Sequence, residues 1–266
     1  WARAREALAR GLDVTPTDER HLGHSALMAY HLGDIDAARQ FERRLADTAA
    51  AAPPGPSLEF VWLAAVLAQG ARIAGRAPDT ESIQRAARAV LESPVPGTPL
   101  LKGVVNLALS ILAYLTQDHA AATELLPHVE SLPRLVTDGM MQTDHVRGLL
   151  LETLGRTDEA IEAFEQAVAS LGAGYEAVRA DVSYDCTRMR IARDAPGDRE
   201  RARTLIDEAL GQAQRLGMRP LIDKLVALKL QDQGISTVTA IYTSIDVVAE
   251  SVGRARPELA AHAAPD

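Results

Sequence analysis

Five short turns limit what this chain can fold into more than any other feature of its sequence. Each is set between two amphipathic stretches. The turn residues are Gly33, Gly75, Gln117, Gly155 and Gly197, which lie 42, 42, 38 and 42 residues apart. The clearest unit is LETLGRTDEAIEAFEQAVASLG, Leu151 to Gly172. Ala160, Ile161, Phe164, Ala167, Val168 and Leu171 recur at helical spacing and define one apolar face. Thr157 is the expected cap of that helix, and Asp158 and Glu159 fall in its first turn, where the helix dipole favours acid. Upstream, Gly148 to Leu154 reads as a second helix, and two helices joined by so short a turn pack antiparallel. Related stretches follow the other four turn residues, so the whole chain reads as a series of helical hairpins.

The pattern predicts helices near 18–32, 35–50, 57–75, 80–92, 98–116, 118–132, 137–154, 157–171, 174–194, 198–216 and 218–233. Residues 1–11, WARAREALARG, read as the second helix of a further hairpin. The composition agrees: Ala and Leu dominate, aromatics are 4%, and the one run with strand character is Ile235 to Ile245. The Pro-rich stretches Ala49–Ser57 and Ser93–Pro99 read as loops between hairpins, not as domain boundaries.

The unit around Gly155 resembles the tetratricopeptide repeat. Gly148, Gly155, Ala160, Phe164 and Ala167 match that family's small and aromatic positions at its spacing. Ala202 and Ala209 match in the next unit, with Ile206 in place of the aromatic, and Ala122 and Leu126 match more loosely after Gln117. Ala38 and either Ala86 or Ala87 supply the small packing residue of the first two units. The period is longer than the family's usual one. It is similar to the repeats of bacterial signalling proteins that join an AAA-type ATPase to a class III adenylate or guanylate cyclase or to a LuxR-type DNA-binding domain. The segment Thr243–Asp266 is similar in form to the connector that leads into such a cyclase.

The resemblance implies an all-α fold, a right-handed superhelix or α-solenoid of about five tetratricopeptide-like hairpins, over residues 1–234. A connector or tail, partly helical, follows over 235–266. It also implies a non-catalytic interaction or scaffold module, the sensory or regulatory part of a larger signalling protein. The alternative is that the segment belongs to a nucleotide cyclase or an ATP-dependent transcriptional regulator whose catalytic domains lie elsewhere. The expected partner is a protein, a peptide or a neighbouring domain of the same polypeptide. The family's inner-face positions, carried onto this register, give a groove lined by Arg20, Tyr30, His31, Trp62, Gln69, Arg72, Tyr114, Gln142, His145, Glu152, Tyr184 and Arg188. Trp62 reads equally well as filler between hairpins. For Tyr114, flanked by Ile111 and Leu115, the core reading leads.

The sequence argues against several chemistries. A phosphate-binding loop needs Gly-rich backbone and then Lys-Ser/Thr, but the lysines Lys102, Lys224 and Lys229 are followed by Gly103, Leu225 and Leu230. No zinc-protease, nucleophile-elbow or paired-cysteine motif is present, so no cofactor, no metal and no catalytic residue is expected in this segment. His21, His24 and His31 project within one sector of a helix and read as a polar edge rather than a metal site. Asp144 and His145 likewise read as a solvated helix edge. A net charge of −8 disfavours nucleic acid. No apolar run is judged long enough to span a bilayer. Cys186, the single cysteine, fits a reducing compartment. The chain starts at Trp1 without a secretory leader, so it is read as an excerpt of a longer cytoplasmic polypeptide.

Overall fold

The computed structural model describes residues 1–53, 55–134, 136–137 and 141–233. The expected connector over 235–266 and the strand-like run Ile235–Ile245 lie outside the described residues. Those described form an all-α fold of twelve helices: α1 (Ala2–Val14), α2 (Glu19–Leu32), α3 (Ile35–Ala51), α4 (Leu58–Ala74), α5 (Thr80–Leu91), α6 (Pro99–Thr116), α7 (His119–Glu130), α8 (Thr143–Thr153), α9 (Thr157–Ser170), α10 (Glu176–Arg193), α11 (Asp198–Leu216) and α12 (Arg219–Asp232).

All five turn residues take left-handed backbone, with φ between 54° and 85°. At four of them glycine meets that demand without a Cβ clash. At the fifth, the Gln117 side chain stays local and its Nε2 donates to the Tyr114 carbonyl at 2.7 Å. The helix after each turn is then started locally. Asp34, Asp79 and Asp118 accept from the backbone N–H three residues on, at 3.0–3.1 Å. Helices α9 and α11 are exceptions: Thr157 is the first residue of α9 rather than its cap, Arg156 stands at that cap position without a side-chain bond, and Gly197 itself stands at the cap of α11.

The pairs α2–α3, α4–α5, α6–α7, α8–α9 and α10–α11 each pack on one another, and α2, α4, α6 and α8 also pack side by side in order. Three glycines set how closely these helices approach. A Cβ on Gly148 would fall 2.4 Å from the Phe164 ring, one on Gly70 2.6 Å from the Tyr30 ring, and one on Gly23 2.4 Å from Trp62. The glycines of α2, α4 and α8 thus serve as sockets for aromatic rings on neighbouring helices. Helix α4 sits at the centre, buried from Val61 to Ile73 without interruption. It packs on α2, α3, α5 and α6, which is why its sequence is apolar all round.

Three features depart from expectation. Residues 136–137 and 141–142 do not open a helix but pair as an antiparallel two-residue ladder, β1 (Val136–Thr137) and β2 (Met141–Gln142). The cause lies at Gln142, whose Oε1 accepts from the His145 N–H at 2.5 Å and starts α8 there instead of at 137. Second, α6 is an 18-residue helix of mean hydropathy 1.5, long and apolar enough by length and composition to cross a membrane. Half of that window is buried, and the helix packs on α4, α5, α7 and α8. Third, α12 is not only the neighbour of α11. It turns back to touch α2 and α4 as well as α10, so the last helix among the described residues meets the first hairpins. A small separate core of Ala180, Ala209, Ala213, Met218, Leu221 and Leu225 fixes it to α10 and α11.

The glycine sockets generate a prediction. Gly148→Ala gains helix propensity but forces a methyl into Phe164, and the net result is destabilisation of about 1–3 kcal/mol by urea unfolding. Adding Phe164→Leu recovers part of that loss, a non-additivity that two independent sites would not show.

Candidate functional site

Helix α10 brings Asp181, Asp185 and Arg188 onto one face, at spacings of four and three residues. That face meets α4 and α8. The Arg72 guanidinium, 8% exposed, donates to Asp185 Oδ2 through a short bond and lies 3.9 Å from Asp181. His145 Nε2 is 2.8 Å from the same Asp185 oxygen and 2.9 Å from Arg72 Nη2. One ring nitrogen cannot both donate to the carboxylate and accept from the guanidinium, so the two contacts are alternatives set by the tautomer. With Nε2 protonated, Asp185 accepts from both neighbours.

The cluster continues along α10. Arg188 Nη2 donates to Glu152 at 2.5 Å and to the Tyr114 hydroxyl at 3.2 Å, and lies 3.7 Å from Asp185. From the opposite side, Lys224 of α12 donates to the main-chain carbonyls of Ile73 at 3.0 Å and Arg72 at 3.4 Å, at the end of α4. Three cations, Arg72, Arg188 and Lys224, thus offset three carboxylates, Glu152, Asp181 and Asp185, in one buried neighbourhood.

Burial pushes the Asp185 carboxyl up, but Arg72, His145 and Arg188 outweigh it and hold the group well below the usual carboxylate range. Burial lowers His145, and the charge on Arg72 lowers it further against the pull of Asp185 and Asp181. His31 is lowered in the same way, by burial first, with Arg72 and Lys224 opposing Asp181. Burial and then Arg72 also lower Lys224. Burial and the nearby Asp185 raise Tyr114 and Tyr184.

Beside this cluster opens a cleft of about 850 Å³ between α1, α2 and the start of α10. Arg20, His31, Gln69 and His145 line it, together with Trp1, His24 and Asp181. Arg20 stands on the rim with its side chain 59% exposed. His31 lies deeper, 3.9 Å from Asp181 and edge-on to the Trp1 ring at 5.6 Å.

The twelve residues expected to line one groove therefore divide. Arg20, His31, Gln69 and His145 reach the cleft. Arg72, Tyr114, Glu152 and Arg188 join His145 in the charge cluster. Tyr114 is thus half-buried with its hydroxyl in that cluster rather than a simple core residue. Three others turn away from any open face. Tyr30 is fully buried against Gly70, and its hydroxyl accepts from Arg76 at 3.0 Å. Trp62 fills the gap between α2 and α4 against Gly23 and His24, the filler reading of that residue. Gln142 is the cap of α8 and donates through Nε2 to Ser170. Tyr184 packs half-buried beside the α10–α12 core. Asp144 and His145, expected at a solvated edge, are both buried, because β2 and the Gln142 cap set the start of α8 inside the fold.

Sequence reasoning missed Asp181, Asp185 and Lys224. The signal for Asp185 lies one step away: the repeat register names Tyr184 and Arg188, while the i, i+4, i+7 set is Asp181, Asp185, Arg188. Among the described residues no group of three or more His, Cys, Asp or Glu side chains is placed to hold a metal ion. Compared with known families, with curated proteins and with solved structures, the chain matches none.

Two predictions follow from these charges. Arg72→Met leaves Asp185 buried without its main partner and costs about 3–5 kcal/mol in denaturant unfolding, whereas the exposed Arg43→Ala stays within about 0.5 kcal/mol. His31 and His145 are held neutral in the fold but titrate near 6.5 when unfolded. The unfolded chain therefore takes up protons first as pH falls. Stability is full above about 6.5 and drops below it, by up to about 1.4 kcal/mol per pH unit for each histidine. Asp185, lowered instead, loses its contribution only below about pH 4. His145→Gln flattens the slope of stability between pH 7 and pH 5, measured by urea unfolding across that range.

Proposed function

We propose that this chain is a non-catalytic interaction module of the tetratricopeptide type. Its five hairpins wind as a right-handed solenoid, and its ligand is a short peptide segment of a partner or of a neighbouring domain. The peptide enters the cleft between α1, α2 and α10. The observation that carries this reading is the contrast between two halves of the inner surface. Around Arg72 the charged side chains satisfy one another and leave little for a ligand. Next to them lies an open cleft lined largely by apolar side chains of α1, α2 and α10, with polar groups from α2, α4, α8 and α10 set among them. A rigid, self-satisfied cluster beside an open cleft is a preformed site, in which little ordering cost is left for binding.

The order of helix neighbours and the packing of Gly148 on Phe164 support the repeat type. The role within a larger signalling protein rests on the resemblance of the repeats alone. In that role, a peptide pressing on Asp181 and His31 biases α12, which carries Lys224 and leads towards residue 235.

Peptides selected from a random library on the full chain are expected to bind with Kd of about 1–100 μM. Ala7→Trp, which fills the cleft from α1, and Arg20→Glu at its rim are both expected to weaken them about tenfold or more by isothermal titration. Both positions are exposed, so the fold is left intact. Selected peptides that bind either variant as tightly as the wild type would overturn the proposal.

A further inference from the structure

On the side of α4 away from the cleft, α3, α4 and α5 enclose a second groove of about 430 Å³. Each helix supplies one face. Leu63 and Leu67 of α4 form an apolar floor, and Ala46 and Ala50 of α3 line the groove where larger side chains would fill it. The rim is cationic: Arg39 and Arg43 on the α3 side, Arg85 on the α5 side. All three are exposed.

The acids in the same groove are already engaged. Glu42 is buried and accepts from Arg76 at 2.8 Å and 3.1 Å. Asp79 caps α5 by accepting from the Ser82 N–H. Arg85 holds only an exposed pair with Glu81, of the kind that contributes little. Arg39 and Arg43 make no hydrogen bond and no ion pair within 4 Å among the described residues. A chain with net charge −8 thus carries, around one apolar groove, a rim of three exposed arginines, two of which hold no ion pair within 4 Å among the described residues.

We infer that this groove is a docking surface for an acidic amphipathic helix of a partner protein. Arg39 and Arg43 are four residues apart, so their guanidinium groups rise about 6 Å along one edge of α3. That is the rise between carboxylates at i and i+4 on a facing helix. The alanines of α3 let a helix backbone approach, and the floor takes apolar side chains at i, i+3 and i+7 in the helix-in-groove mode. Arg85 closes the opposite edge. An apolar floor offers nothing to a phosphate backbone, so the same arginines are better matched to an acidic peptide than to nucleic acid.

The test uses the full chain and a fluorescein-labelled helical peptide of about 18 residues. The peptide carries Leu at i, i+3 and i+7 and Glu four apart on both flanks, and binding is read by anisotropy. The expected results are saturable binding that weakens with salt, about tenfold weaker binding to Arg39→Glu/Arg43→Glu, and recovery when that variant meets a peptide with Lys in place of Glu. Ala46→Trp, which fills the groove, is expected to abolish binding while the thermal melt stays that of a folded chain. Arg20→Glu, at the separate cleft, is expected to change nothing, so this inference fails or stands apart from the proposed function. Failure of the charge-swapped pair to recover, equal binding of the Lys and Glu peptides to the wild type, or displacement of the probe by a DNA duplex of about 20 base pairs would each overturn it.

Discussion

The interaction on which the rest depends is the contact between Arg72 and Asp185. Each charge is buried, and each would cost several kcal/mol to strip of water if left alone. Together, with His145, Arg188 and Asp181 around them, they form a cluster that is neutral as a whole. The cost is offset only when α4, α8 and α10 stand in one relative arrangement. Apolar packing is tolerant of small shifts between helices, whereas a guanidinium within bonding distance of two partners is not. The cluster therefore selects one arrangement out of the several that the apolar stripes alone would allow.

Glycine sockets act on the same problem at shorter range. Where α8 meets Phe164, α4 meets Tyr30 and α2 meets Trp62, the missing Cβ lets a ring sit against the helix backbone. These contacts fix how near neighbouring helices lie, and the charge cluster fixes how they are turned. The open cleft is a consequence of both. It lies where α1, held on α2 with Leu12 as its one buried residue, leaves room in front of α10.

Most of the helices were legible in the sequence because their determinants are local. A left-handed turn residue and an apolar stripe, helped at three turns by an aspartate cap, can be read without knowing what the stripe faces, and Gly33, Gly75, Gln117, Gly155 and Gly197 all take left-handed backbone. The start of α8 was misread because its cap is a glutamine, a residue with no strong capping preference, ahead of a helix whose apolar pattern runs on upstream. The site was less legible. The repeat register points Arg72, His145 and Arg188 inward but gives Tyr184 where the cluster has Asp185, since a register carried over from a resemblance slips easily by one residue. Nothing local marks Lys224, whose partners are main-chain oxygens on a helix far away in the chain. Nor does any local pattern tell that Tyr30 and Trp62 would be swallowed by glycines on other helices.

The two bonds from Lys224 join positions 152 and 151 residues apart. Most helix packing is between elements close in the chain and can form piecemeal as each hairpin meets the next, whereas the Arg72–Asp185 contact and the Lys224 bonds tie distant helices together. For the Lys224 latch, closing so long a loop early carries an entropic penalty with no contacts to reward it. The latch ties α12 back onto the end of α4 and closes that loop. Since the acceptors are backbone carbonyls, that closure is indifferent to which side chains α4 carries there, and sequence drift along α4 leaves the latch intact so long as the helix ends at the same turn.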